Sequence, residues 1–277
     1  MAEYYATDDI YSEDGILLVS KGKKITNKAI QKLQRYENLQ LKDLIVPANN
    51  RLNKQSKRLS KYTDHTIESF ETRKNIRPSY NLERASEILG SIIFESKTKP
   101  WWIYVNSLGN YLDRLYTHSI DVAIISLIMA IELGYSSKEL WNLGIGALLH
   151  DVGKLLIPKT ILEKDEPLTD IEQAFIKQHC ELGVSSLASF EFSEQYTDIV
   201  LQHHERIDGS GFPNGLKGDE ISQNAKIVIV ADVVDLITTY RAHNKPKNMN
   251  TAIRKLKIAT DKYPQDLVDL LEKILEQ

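Results

Sequence analysis

Between Leu82 and Leu148 the apolar residues recur at three- and four-residue spacing, and most of the chain's histidines fall within or beside stretches of this kind. Leu82, Ala85, Ile88, Leu89 and Ile92 form one stripe, Val122, Ile125, Ile128 and Met129 a second, and Leu140, Leu143, Ala147 and Leu148 a third. A period near 3.6 buries one face of a helix and cannot do so for a strand, so this part of the chain must pack helix on helix. The β-branched run Ile227 to Val234 is ambiguous by period alone. It reads as helix because no strand candidates flank it and because Asp232 and Asp235 suit a buried helix.

At 277 residues and 42% apolar, the chain can bury a substantial core, which excludes a disordered protein. Its single cysteine, Cys180, excludes an intramolecular disulfide. The first residues lack the basic-then-apolar order of a signal peptide, and the run Val122 to Ile131 meets Glu132 too soon to span a bilayer. A cytoplasmic protein without membrane contact is expected. A net charge of −3 gives no general attraction to a nucleic acid polymer, so an anionic substrate must be met by metals and individual cations.

The N-terminal part reads differently. Asp14-Gly15 is a turn dipeptide between Asp9-Ile10-Tyr11 and Ile16-Leu17-Leu18-Val19, and Lys21-Gly22 ends that run. Thr26 then caps a helix carrying Ile30, Leu33 and Tyr36, and Leu44-Ile45-Val46 is a further short strand stopped by Pro47. Arg51, Lys54, Lys57, Arg58 and Lys61 have no interleaved aromatics and read as a solvated linker.

Five of the seven histidines, His118, His150, His179, His203 and His204, lie in or beside apolar helical stretches. One histidine on such a face is ordinarily a satisfied core residue. Five of them, with Asp151 and Asp232, require compensation that divalent ions supply. Imidazoles on each ion and a carboxylate able to bridge both are what a dinuclear metal hydrolase needs.

The ordered set His150-Asp151 with Gly153-Lys154, then His179, then His203-His204-Glu205 with Asp208-Gly209-Ser210-Gly211-Phe212-Pro213, then Ala231-Asp232 with Asp235, resembles the HD-GYP family of HD phosphohydrolases from about Leu82 to Leu256. The resemblance implies a mainly α protein: an HD-type helical bundle at 76–277 behind a small N-terminal α+β module and basic linker at 1–75. It implies two divalent ions, iron or manganese, and hydrolysis of cyclic di-GMP to pGpG or GMP by a hydroxide bridging them. His118, His150, Asp151 and Asp232 would surround one ion, and Asp151 would bridge to a second held by His179, His203 and His204. Lys154, one turn past His150, would neutralise a phosphate oxygen. Asp208 would orient a ligand histidine or pin its loop; Glu205 would do likewise or sit exposed at a helix end. Gly209 and Gly211 would supply the torsions that bring this loop against the site.

The chain departs from the family pattern at named positions. Phe212 replaces the tyrosine of Gly-Tyr-Pro, Val234 replaces an aromatic residue, and Arg241 matches a first phosphate-binding cation while the second position is Asn244, with Lys245 and Lys247 nearby. Arg114 stands where three-metal members place a glutamate, so two ions are expected. Cys180, beside His179, is inert packing or an oxidisable thiol, and Trp101 and Trp102 fill the core or border the cleft. A phosphodiesterase for another cyclic dinucleotide, such as a mixed GMP-AMP species, and a metal-binding signalling scaffold are the alternatives. Assembly as a homodimer or with a signalling protein stays open.

Overall fold

The computed structural model describes residues 4–6, 10–11, 17–19, 24–25, 45–47, 70, 74, 79–164, 166–190, 192, 194–239 and 247–276. The chain divides into two compact units, Met1–Tyr62 and Thr63–Gln277. In the first, β1 (Tyr4–Ala6) lies between β4 (Lys24–Ile25) and β5 (Ile45–Pro47), antiparallel to both, with Tyr4 opposite Ile25 on one side and Pro47 on the other. A separate antiparallel pair joins β2 (Ile10–Tyr11) to β3 (Leu17–Val19), the two runs expected on either side of Asp14-Gly15. The helix expected after Thr26 and the basic stretch 49–61 lie outside the described residues.

The second unit is built around one central helix. Its described helices are α1 (Tyr80–Ser96), α2 (Trp102–Tyr111), α3 (Asp113–Glu132), α4 (Ser137–Leu149), α5 (Lys159–Leu162), α6 (Asp170–Lys177), α7 (His179–Leu187), α8 (Glu194–Gln202), α9 (Gln223–Thr238), α10 (Met249–Ile258) and α11 (Gln265–Leu275). Helix α3 is apolar nearly all round, as a helix must be when neighbours cover every face. It packs against α1, α2, α4, α9 and α11. Val122, Ala123, Ile124, Leu127, Met129 and Ala130 are fully buried along it. Each large apolar side chain so buried contributes about 1.5–3 kcal/mol. Its length and composition would suffice to cross a membrane, but 78% of its apolar window is buried inside the protein, which marks a core helix.

Local signals fix where the helices begin. Ser136 and Glu139 cap α4 reciprocally, and Thr169 and Glu172 do the same for α6, each box worth about 1 kcal/mol. Ser222 accepts from the Ala225 amide to start α9, so the β-branched run Ile227 to Val234 is helical, as its acidic pair implied. A short 3-10 helix, Val152–Leu156, follows α4 directly and packs on α7. Gly153 makes that approach possible: a Cβ there would lie 1.9 Å from the His179 carbonyl oxygen.

Candidate metal centre

Five segments deliver the centre to one buried point. His118 projects from α3, His150 and Asp151 from the junction of α4 with the 3-10 helix, His179 from the start of α7, His203 and His204 from just beyond α8, and Asp232 from α9. His118, His150, Asp151, His179, His203 and Asp232 are all buried, and His204 is half-buried.

Their donor atoms fall into two groups, each compact enough to hold an ion: His118, His150 and Asp232 in one, and Asp151, His179, His203 and His204 in the other. Asp151 reaches both. Its Oδ2 lies 3.6 Å from the Nε2 atoms of both His118 and His150, while its Oδ1 lies 3.4 Å from His179 Nε2 and 3.6 Å from His203 Nε2. His204 Nδ1 stands 4.0 Å from Asp232 Oδ2.

The helices also set the tautomers. His150 Nδ1 donates to the Ala147 carbonyl at 2.7 Å, His179 Nδ1 to Ile176 at 2.5 Å and His203 Nδ1 to Val200 at 2.9 Å, each one turn back. His118 Nδ1 donates to Asp235 Oδ2 at 2.6 Å. With each Nδ1 proton so engaged, the Nε2 lone pairs of His150, His179 and His203 point inward. His118 Nε2 faces His150 Nε2 at 3.3 Å, and His179 Nε2 faces His203 Nε2 at 3.1 Å.

This donor set fits divalent ions. Asp151 Oδ1 and Asp232 Oδ2 are buried without a hydrogen-bond partner among the described residues. Burial lowers the pKa of His150 to about 4 and that of His179 to about 3, and it holds His204 well below its ordinary value. Imidazoles kept neutral and carboxylates kept ionised are the forms that bind metal. Burial works against the charge on Asp151, yet Lys154 and His150 hold it well below the usual carboxylate range. His118 differs: burial opposes its proton, but Asp232 and Asp235 outweigh that and raise its pKa to about 10.

Around the centre, Lys154 Nζ lies 2.5 Å from Asp151 Oδ2. The half-buried Lys154 lines a cavity of about 230 Å³ with His118, Arg114, Lys164, Ile176 and Thr239. Arg114 is exposed and donates from Nη2 to the Leu162 carbonyl at 2.5 Å. Phe212 stacks on His204, ring centres 4.7 Å apart at 29°, and stands edge-on to His179 at 6.5 Å. Cys180 is fully buried and burial pushes its thiol pKa up, which agrees with a packing role. Trp101 packs against Phe192 at 5.5 Å.

The two acidic residues of this loop take different places. Asp208, expected to orient a ligand histidine or pin its loop, is exposed, and its Oδ1 accepts from the Ser210 amide at 2.8 Å within its own turn, which agrees with the second of these roles. Of the two places expected for Glu205, it takes the first: it is fully buried, not exposed at a helix end, and it pins the loop. Its Oε1 accepts from the Asn214 amide at 2.8 Å and its Oε2 from Leu216 at 3.1 Å. Gly209 has a φ of 83° as expected, whereas Gly211 is required by space, since a Cβ there would lie 2.4 Å from Glu205 Cα. Arg241, Asn244 and Lys245 lie outside the described residues, as do His65 and His243. Sequence reading missed Lys74 and Asp121, which meet behind His118. Asp121 sits one turn from His118 in an apolar helix, and a buried carboxylate there calls for a cation.

Fold and site together define a helical protein with a buried two-part His/Asp centre suited to divalent ions. The chain belongs to the HD domain family, whose pattern its residues 104–266 match. It is 37% identical over 142 residues to a cyclic di-GMP phosphodiesterase of Pseudomonas aeruginosa, covering 51% of this chain and 34% of that protein. It is 35% identical over 174 residues to a cyclic di-GMP phosphodiesterase of Thermotoga maritima, covering 61% and 47%. A 3'3'-cGAMP-specific phosphodiesterase of Vibrio cholerae is 35% identical over 171 residues, covering 60% and 33%. The chain thus spans between a third and a half of the length of these curated relatives. Among solved structures, an HDG"Y"P protein of Bdellovibrio bacteriovorus shares the fold with a TM-score of 0.54 at 22% identity, covering 100% of this chain and 94% of that one.

Proposed function

We propose that the chain is a metal-dependent phosphodiesterase that hydrolyses cyclic di-GMP to pGpG or GMP at a dinuclear centre. The observation that carries this is Asp151, which turns one carboxylate oxygen toward each histidine group. His118, His150 and Asp232 would hold one ion and His179, His203 and His204 the other, with Asp151 shared between them. Iron or manganese suits this mixed imidazole and carboxylate set. Such ions, when bound, would supply Lewis acidity to the phosphodiester and would lower the pKa of a coordinated water.

The chain's own residues do the rest. Lys154 shares the cavity wall with His118 and presents its ammonium where a phosphate oxygen gains charge during attack. Phe212 fixes the plane of His204 by stacking on it. Glu205 holds the Asn214 and Leu216 amides, which keeps the loop carrying Phe212 folded against the histidines. Arg241 and Lys245 would meet the substrate's phosphates.

A second reading, hydrolysis of a mixed GMP-AMP cyclic dinucleotide, is favoured by the 35% identical Vibrio cholerae relative with that specificity. The test is kcat/KM over a panel of cyclic dinucleotides with manganese- or iron-loaded protein prepared anaerobically. A preference for cyclic di-GMP supports the first reading and a preference for the mixed species the second. Binding of both metal and nucleotide without turnover would leave a signalling scaffold.

A further inference from the structure

Lys74 precedes the residues that match the HD family, yet it is 3% exposed and ends behind the metal centre. Burying an ammonium costs several kcal/mol unless each proton finds an acceptor. Here the acceptors are supplied by two helices. Lys74 Nζ is paired with Asp235 Oδ1, and it donates to Thr239 Oγ1 at 2.7 Å and to Thr238 Oγ1 at 3.1 Å, with Asp121 Oδ2 at 3.3 Å.

The arrangement has a direction. The Thr239 hydroxyl donates to Asp235 Oδ1 at 3.1 Å, so that oxygen is held by both Lys74 and Thr239. The other oxygen of Asp235 accepts the His118 Nδ1 proton. A carboxylate held at both oxygens cannot rotate, and this fixes the imidazole plane. His118 Nε2 is thereby aimed at Asp232 Oδ1, 3.1 Å away, and at His150 Nε2. Among the described residues, His179 and His203 of the other group are oriented by helix carbonyls and not by a carboxylate.

We infer that Lys74 is a positioning residue for the His118 half of the centre, setting affinity for its divalent ion through Asp235. The inference rests on the metal-dependent reading above. It assigns Lys74 to one of two sites, and a general contribution to folding would not discriminate between them.

The test is calorimetric titration of the chelator-stripped full chain with Mn²⁺, with bound metal counted in parallel. The wild type is expected to take up two ions. Lys74→Met combined with Asp121→Asn removes the ammonium together with one carboxylate charge, so the balance of buried charge is kept. This double variant is expected to bind one ion normally and the other about 10- to 100-fold more weakly. Thr239→Val, which leaves every buried charge in place, is expected to weaken the same ion to a smaller extent, and it decides the matter if the double variant does not fold. Two ions bound at wild-type affinity in the folded variants, or equal weakening of both, would overturn the role of Lys74 alone. A wild-type chain that binds no Mn²⁺ would overturn the dinuclear reading and this inference with it.

Discussion

Lys154 Nζ lies 2.5 Å from Asp151 Oδ2, the oxygen that also faces His118 and His150. The cation therefore stands at the edge of the centre, on the wall of the cavity a phosphodiester would enter. Lys154→Met is expected to lower kcat on cyclic di-GMP by about 10²-fold. Metal content measured on the same preparation should remain at two ions. Unchanged turnover with both ions bound would remove Lys154 from the chemistry.

Phe212 keeps an aromatic ring against His204, and Lys177 Nζ stands 5.5 Å from the centre of that ring. Phe212→Tyr preserves the stack and is expected to keep metal affinity close to wild type. Phe212→Ala removes it, at a cost of about 0.5–1.5 kcal/mol beyond lost burial. Titration with Mn²⁺ should show weaker binding in the alanine variant only.

Glu205 and Asp208 make opposite predictions although they are three residues apart. Glu205→Ala leaves two loop amides without their acceptor and should cost about 3 kcal/mol. In thermal unfolding this corresponds to a fall in Tm of roughly 5–10 °C for a unit of this size. Asp208→Asn, at an exposed position, should cost under about 0.5 kcal/mol. Equal destabilisation by the two would contradict the assignment of Glu205 as the residue that pins the loop.

The buried histidines give stability a pH dependence of defined sign when a chelator is present. His150 and His179 have folded pKa values near 4 and 3, below the ordinary 6.5, so the unfolded chain binds more protons between those values. Their contribution is complete above pH 6.5 and is lost as pH falls toward 3. His118 works the other way: its contribution is complete below pH 6.5 and is lost as pH rises through about 10. Thermal unfolding across this range should therefore show greatest stability near pH 6.5, with losses on both sides. A Tm that keeps rising as pH falls from 6.5 to 4 would contradict these environments.

The helical bundle and the residues of its centre were legible because their signals are local or strictly spaced. Apolar periodicity announces helices such as α1, α3 and α4, and adjacent pairs such as His150-Asp151 mark places where helix ends carry polar groups into a core. Support for those groups was harder to read. Glu205 and Asp208 are both acidic residues near the same histidines, and only the fold of the loop decides which one turns inward. Lys74 is separated from Asp235 by more than half the chain, and no sequence spacing connects them. The glycines show the same division, since a left-handed turn at Gly209 is a familiar signal while the close approach at Gly211 depends on where Glu205 lies.

In the proposed centre, Asp151 joins two metal sites into one. Asp151→Asn, prepared anaerobically with manganese beside the wild type, tests it when bound metal and cyclic di-GMP hydrolysis are measured on the same samples. The wild type is expected to hold two ions and turn over substrate, and the variant to lose at least one ion and turnover. A variant that keeps both ions and wild-type turnover would contradict it.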